Sequence, residues 1–474
     1  MPEPTRTKMV ETRPAAYPKS LLRPHWQETA TGMVRPYLKA HGHTLRDLIF
    51  DLDVYQALGI DTIEVFAPLH GGVCYNGLDT LDFFTIDSAI GTLDDFTHLI
   101  DEAHARQMAV VMFVNLGYGH ERFPAFLQAC DDVRAGKDTP VSHWFCWSDT
   151  GTDTMDRSLA PYFMNDMDGN WRWSDRANKY FWVKWEGENG GYYLPQFNYG
   201  DSGWQAEVQR ILRYWLATGI DGMVIDAVNW YINCNWEICR ATMTDPIRAA
   251  DNQFCQPEGA GGFHDDPVPW VEQGGWNCIM DYKVKLWWEN VDVIGDAIRS
   301  GDPRPIEAAL RSYRDRVVTA GGVCYIDPPN LETLPVEARL LGAALTASIG
   351  ELLILIGDQA VPEPAEYREG LASLLQLRKR YPVLCAGGAR HQLPTSDDSS
   401  FYAFLRGSTD GRVLAVFNFQ PEAHPVTVDL SNSGITVPQV LIDLTTGAAY
   451  GTPMDSGSYT VSLPAYGYLL LGCG

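Results

Sequence analysis

The 474-residue sequence predicts an α/β fold: a (β/α)8 barrel with an inserted loop subdomain and a C-terminal antiparallel β-sandwich. Three observations predict it. Amphipathic segments of helical period alternate with short β-branched apolar runs, the pattern of parallel strands joined by helices. One stretch, 117–200, breaks that rhythm. From about residue 386 the chain becomes short strands split by Gly, Ser, Asp and Asn, as in packed antiparallel sheets.

Residues 1–19 are polar and Pro-rich and read as a poorly packed arm. LLRPHWQET (21–29) is the expected first strand. TLRDLIFDLDVYQALG has apolar residues at helical spacing, stops at Gly59 and leads into the strand DTIEVFAPL. TLDDFTHLIDEAHARQ, with Thr92 as N-cap, leads into MAVVMFVN. The stretch 117–200 is rich in Trp, Tyr, Gly, Asp and Asn and lacks periodicity. Length of that kind marks a functional insertion or small subdomain. Helix 204–218 and strand 222–227 restore the alternation. Strands at 252–258 and 276–282, helices VKLWWENVDVIGDAI and PIEAALRSYRDRV, strand 321–327, helix ARLLGAALTASIG and strand 351–358 follow. Roughly eight strands close most simply as a barrel. It spans 20–385, and 386–474 forms the sandwich.

Composition bounds the function. Hydrophobic content of 45%, with 12% aromatic, indicates a globular protein. The net charge of −24 argues against nucleic acid and anionic membranes, which reward Lys and Arg. No 18-residue apolar run exists, so no spanning helix is expected. The first 20 residues lack an apolar signal core, and a cytoplasmic address is expected. Ten cysteines form no CxxC, and Cys255, Cys278 and Cys324 lie in apolar strands as reduced core thiols do. Neither a zinc site nor a disulfide framework follows. FMNDMDGN alternates Asp and Asn with Gly but lacks a full calcium-loop register, and no metal is assigned. Neither GxGxxG nor a P-loop is present, so no cofactor is expected.

The chain is organised around DGMVIDAVNW, 221–230. Met223, Val224 and Ile225 bury a strand, and Asp226 emerges at its end. Barrel enzymes present catalytic residues at that rim, and a buried acid there is costly unless something needs it. An Asp capping the next helix is the plain alternative.

The order of motifs resembles the alpha-amylase family, glycoside hydrolase family 13, and within it the small-oligosaccharide alpha-glucosidase and transglucosidase branch. The resemblance covers roughly 45–474. It is carried by LDVYQALGIDTIEVFAPL, NGLDTLDFFTID and GTLDDFTHLIDEAHARQMAVVMFVN, then by YYLPQFNYGDSGWQAEVQRILRYWLATGIDGMVIDA, VLAVFNF and LPAYGYLLL. It implies that Asp226 is the nucleophile, that Glu258 in FCQPEG is the general acid/base, and that Asp79 binds sugar hydroxyls. The sequence also departs from the family. Val224 stands where the family has Arg, Leu116 replaces the His after Asn115, and Leu78 replaces a loop Tyr. The third acid becomes Asn330 in Pro328-Pro329-Asn330, unless Asp327 takes its place.

Retaining cleavage needs two carboxyls about 5–5.5 Å apart, one attacking and one donating a proton, with separated pKa values. Without the Arg, Asp226 should drift upward in pKa unless N–H groups or another cation compensate. Tyr118, His120 and Glu121 follow the third strand and refill the space of the missing His. Asn229 and Trp230 line the site, Trp230 as a stacking face. Asn198, Tyr199 and Asp201 contact substrate or form an ordinary turn; His264, Asp265 and Asp266 shape the leaving-group side or form a solvated loop. The expected function is a retaining glycosidase, transglycosylase or isomerase on a small, unusual glycoside, with no assigned oligomeric state. A catalytically silent sugar-binding or scaffold protein is the alternative.

Overall fold

The computed structural model describes residues 26–473 except 157, 160–169, 188–190, 233, 250–252, 261–265, 287–289, 358–361, 387–388, 409–410, 432–439 and 451–456. The expected arm at 1–19, most of FMNDMDGN, His264 and Asp265 lie outside the described residues.

Among the described residues, eight parallel strands make one sheet: β1 (Met33–Arg35), β2 (Thr62–Phe66), β3 (Ala109–Val114), β4 (Gly222–Ile225), β5 (Phe254–Pro257), β6 (Cys278–Met280), β7 (Val323–Ile326) and β8 (Leu352–Ile356). Their hydrogen-bonded order is β5-β4-β3-β2-β1-β8-β7-β6. Asn277 bridges the remaining seam: its amide accepts from Cys255 N–H and donates to the Gln253 carbonyl, both at 2.9 Å. The sheet therefore closes into a barrel. Its strands read as unbroken apolar runs because both faces are covered.

The described part of the 21–29 segment holds no strand, and the first described barrel strand is β1. The described part of that segment, Trp26–Glu28, is one 3-10 turn, and Trp26 packs into the barrel floor 5.8 Å from the Phe254 ring. A three-residue strand such as β1 is too short to show a period.

Side chains alternate across the barrel wall. Met33, Val111, Phe113, Val224, Phe254, Met280, Tyr325 and Ile354 fill the interior. The same alternation turns Arg35, Glu64, Asp226, Glu258 and Asp327 inward, above that apolar filling. Helices α1 (Leu45–Leu58), α2 (Leu93–Ala105), α3 (Ser202–Leu216), α4 (Val336–Ser348) and α5 (Ala365–Arg380) pack outside. Thr44 with Asp47, and Thr92 with Asp95, cap α1 and α2 reciprocally, while Asp201 caps α3. The expected helix at 284–298 instead begins at Val293, capped by Asp292, behind a short antiparallel pair, Lys285–Leu286 with Val291–Asp292.

The stretch expected to be loop-like contains helix Pro124–Arg134 and an antiparallel sheet built on Lys179–Glu186, which pairs with Trp147–Ser148, Trp171–Ser174 and Tyr193–Pro195. Its strands carry aromatics on both faces, so no apolar–polar alternation reveals them. Beyond the barrel, β9 (Ala389–Leu393), β10 (Phe401–Ser408) and β11 (Gly411–Asn418) lead an antiparallel six-stranded sheet among the described residues, with a two-stranded sheet beside it.

Three buried arginines bind the carbonyls at the C-terminal end of α4: Arg378 to Ala347 at 2.6 Å, Arg406 to Ile349 at 3.3 Å and Arg314 to Gly350 at 2.9 Å. Arg406 comes from β10, so a helix end tied to three cations joins the C-terminal sheet to the barrel.

Candidate active site

Gly222 begins β4 because nothing larger fits: a Cβ there would lie 2.2 Å from the Phe254 carbonyl oxygen. That close approach lays β4 against β5, with Ile225 opposite Pro257, and brings Asp226 and Glu258 together one residue beyond the paired ends. Ala227, between β4 and the turn Val228–Trp230, has φ 49°, a left-handed conformation rare for a side chain of this type. In it the Ala227 N–H donates to Glu258 Oε2 at 3.1 Å.

Asp226 is 8% exposed. Its Oδ2 accepts from the Tyr118 hydroxyl at 2.9 Å, and its carbonyl from Tyr231 at 3.0 Å. Tyr282 reaches Glu258 Oε1 at 3.4 Å. Burial raises the pKa of both carboxyls, and Glu258 raises Asp226 further by repulsion. Against this, Tyr118 pulls Asp226 down, the Ala227 N–H pulls Glu258 down, and Arg35 acts on both. Two carboxyls this close titrate as a unit, in two steps that belong to the pair.

A second group of side chains lies beside the pair. Asp79 is fully buried, accepts from the Tyr192 hydroxyl at 3.0 Å, and has His120 Nε2 3.9 Å from its Oδ2. The His120 ring stacks on Tyr192, centroids 4.7 Å apart, and its Nδ1 accepts from Arg122 N–H at 2.9 Å, which leaves Nε2 as the protonated nitrogen. Burial lowers the His120 pKa and raises that of Asp79. Gly72 makes room: a Cβ there would lie 2.2 Å from Asp79 Oδ2 and 2.8 Å from His120 Cδ2.

At the end of β7, Asp327 turns inward and pairs with Lys285 Nζ at 2.9 Å. Burial raises its pKa while Lys285 pulls it down. Asn330 is not part of this group. Pro328 and Pro329 carry the chain outward, and Asn330 is exposed, its N–H on Asp292 Oδ2 at 3.1 Å and its carbonyl bound by Arg299.

Other expected residues hold the scaffold. Asn115 spends its amide on backbone, donating to the Leu78 and Tyr118 carbonyls and accepting from Gly117 N–H at 2.8 Å, so it shapes the Tyr118 loop. Asn229 is fully buried against Gly259. Trp230 is half-buried, its carbonyl bound by Lys184 and its ring 5.0 Å from Trp185. Glu121 accepts from the Tyr193 N–H, Asn198 forms a turn to Gly200, Tyr199 binds the Leu116 carbonyl, and Asp266 pairs with Arg316.

Sequence reasoning missed Arg35, Glu64, Tyr192, Tyr282 and Lys285. Glu64 left a usable signal: a carboxylate inside the run TIEVF needs a buried partner. The others had none, because their neighbours come from distant strands. The described residues hold no group of three metal-binding side chains and no helix long and apolar enough to cross a membrane.

A family model described as alpha amylase, catalytic domain, matches residues 17–260, and one described as maltogenic amylase, C-terminal domain, matches 391–470. The trehalose synthase/amylase TreS of Mycobacterium tuberculosis (strain ATCC 25618 / H37Rv) is 31% identical over 188 residues, 39% of this chain and 29% of that protein. An alpha-glucosidase of Schizosaccharomyces pombe is 26% identical over 223 residues, 45% of this chain and 36% of that one. The alignments thus span well under two thirds of these relatives. Eubacterium rectale Amy13B superposes with a TM-score of 0.73 at 16% identity, covering 96% of this chain and 100% of that one. The trehalose-6-phosphate hydrolase TreA of Bacillus licheniformis gives 0.72 at 14%, covering 95% and 100%. At these identities the structural likeness concerns the fold. The amylase model spans more than half of the chain, and the protein belongs to the alpha-amylase family.

Proposed function

We propose that the protein is a retaining glycosidase or transglycosylase acting on small glycosides, with Asp226 as nucleophile and Glu258 as acid/base. The observation that carries this reading is the buried pair itself, two carboxyls turned inward at neighbouring strand ends and linked through the Ala227 N–H. In the first step the Asp226 carboxylate attacks the anomeric carbon, the glycosidic C–O bond breaks, and the Glu258 proton passes to the leaving oxygen. In the second, Glu258 takes a proton from water or an acceptor hydroxyl, whose oxygen displaces Asp226. Tyr118 favours the charged form of Asp226 by donating to it. Asp79, supported by Tyr192 and His120, suits a sugar hydroxyl on one side, and Asp327 suits the third-acid role on the other. The relatives named for trehalose and glucosides direct the choice of probes. Ten thiols without a disulfide fit a cytoplasmic address, and the reading divides the chain into a barrel, 20–385, an insertion, 117–200, and a C-terminal unit, 386–474.

The test is mass-spectrometric product detection with trehalose, maltose, isomaltose and 4-nitrophenyl α- and β-glucosides. Wild-type turnover should fall about 10⁴-fold in Asp226→Asn and about 10²–10⁴-fold in Glu258→Gln. Turnover that survives in both variants overturns the roles. Sugar binding without turnover would move the reading to a silent sugar-binding protein.

A further inference from the structure

Arg35 and Glu64 form an ion pair inside the barrel, on adjacent strands β1 and β2. Nε and Nη2 of Arg35 both meet the Glu64 carboxylate, the second at 3.2 Å. The side chains are 9% and 1% exposed. The guanidinium lies 5.0 Å from the Phe113 ring centroid and 5.8 Å from that of Phe66. Phe113 stands opposite Val224 in the β3–β4 register, one inward position below Asp226. The guanidinium therefore lies against the ring that faces the strand below Asp226, in the barrel interior under the rim.

A buried ion pair is not a device for stability, because apolar residues of the same volume stabilise equally or better. Set among the mainly apolar residues of the barrel interior, this pair asks for another reason. The groups that face Asp226 and Glu258 are the phenols of Tyr118, Tyr231, Tyr282 and Tyr325, with Arg35 and Glu64 below. Burial keeps the Tyr231, Tyr282 and Tyr325 phenols protonated, so they carry no charge. Among the described residues, Arg35 is the cation whose field lowers both carboxyls. Val224 leaves Asp226 no cation on its own strand.

We propose that Arg35 is a positioning residue for this site: anchored by Glu64, its guanidinium sets a fixed positive charge in the barrel interior below the Asp226–Glu258 pair and favours the ionised form of that pair. The inference rests on the Asp226–Glu258 reading for its catalytic meaning, but its electrostatics can be read without turnover. Glu64 restrains this charge as well as holding it. Removing Arg35 and neutralising Glu64 therefore act on the pair in opposite directions, which a purely structural role would not produce.

The experiment is ¹³C NMR titration of protein labelled at the Asp and Glu carboxyls, with the pair assigned by difference against Asp226→Asn and Glu258→Gln. The variants are Arg35→Met with Glu64→Gln as a double neutral replacement, Arg35→Lys, and Glu64→Gln alone. The double variant should raise the pair's first ionisation by about 1 pH unit, Arg35→Lys should keep it near wild type, and Glu64→Gln should lower it. The acid limb of 4-nitrophenyl α-glucoside cleavage should move with the titration. An unmoved ionisation in a folded double variant, or a Glu64→Gln shift upward or absent, overturns the proposal. Should the double variant fail to fold, the direction of the Glu64→Gln shift decides alone. Shifts as expected without cleavage of any glycoside would leave Arg35 its role and overturn the enzymatic reading. Cleavage with unmoved titrations would do the reverse.

Discussion

The barrel holds a second buried carboxyl pair, and the contrast with Asp226 and Glu258 is instructive. Asp281 and Glu351 flank the inward-facing Tyr282 and Leu352, so both point outward, into the layer between strands and helices, where both are fully buried. Asp281 Oδ2 and both Glu351 carboxylate oxygens have no hydrogen-bond partner among the described residues, and each carboxyl shifts the titration of the other. Burial raises the pKa of both, as it does for Asp226 and Glu258. The repulsion is the same and the surroundings are not. Asp281 Oδ1 accepts from the Lys283 and Val284 N–H groups, and the field of Arg314 favours the charged form of both, against the effect of burial. Asp226 and Glu258 also have a cation, Arg35, but they sit at strand ends on the barrel rim with the Tyr118 and Tyr282 hydroxyls and the Ala227 N–H as donors. A shifted carboxyl pair therefore does not identify a site; a shifted pair beside neutral donors at the barrel rim does.

Four variants test the contrast, beginning with the largest effect. Arg314→Met removes a buried cation that binds the Gly350 carbonyl and faces the outward pair. It should cost about 3–5 kcal/mol in urea unfolding, since one partner of a buried charge network is left uncompensated. Normal stability would mean that the outward pair is protonated and that losing Arg314 leaves no charge uncompensated.

Tyr118→Phe should lower kcat about 10–100-fold with the fold intact, because a charge-assisted hydrogen bond to Asp226 is worth about 1.5–3 kcal/mol. Tyr118 holds the Asp226 pKa down, so its loss moves the acid limb of kcat/KM upward in pH. A limb that stays in place would detach Tyr118 from Asp226.

Glu351→Gln tests the sign of the outward pair. Both folded pKa values are raised, so the pair's stability is full below the ordinary carboxylate range and falls as pH rises through the folded values. Wild type should therefore lose about 1–3 kcal/mol as pH rises from the ordinary carboxylate range through the folded values, and the variant should lose less. Equal slopes in urea-melt series would show that the proton is never released. Asp226→Asn, by relieving repulsion inside the barrel, should raise stability by about 0.5–2 kcal/mol while turnover is lost. A destabilised variant would mean that the charge on Asp226 holds the fold.

Much of this was readable in the sequence. The barrel strands from DTIEVFAPL onward, the cap at Thr92, and the inward carboxyls at the ends of GMVI and FCQP follow from period, propensity and local hydrogen bonding, which neighbouring residues fix. The choice between Asp327 and Asn330 did not, because it depended on where Pro328 and Pro329 send the chain. Nor did the placement of Arg35 over Phe113 or of Tyr192 on Asp79, pairs separated by 78 and 113 positions in the chain. The sequence by itself determined which residues repeat, which are buried and which acids end the strands, since those depend on local pattern and on the cost of burying charge. The tertiary structure decided which cation meets which acid, because strand order and register, not proximity in the chain, set the distances over which charge acts.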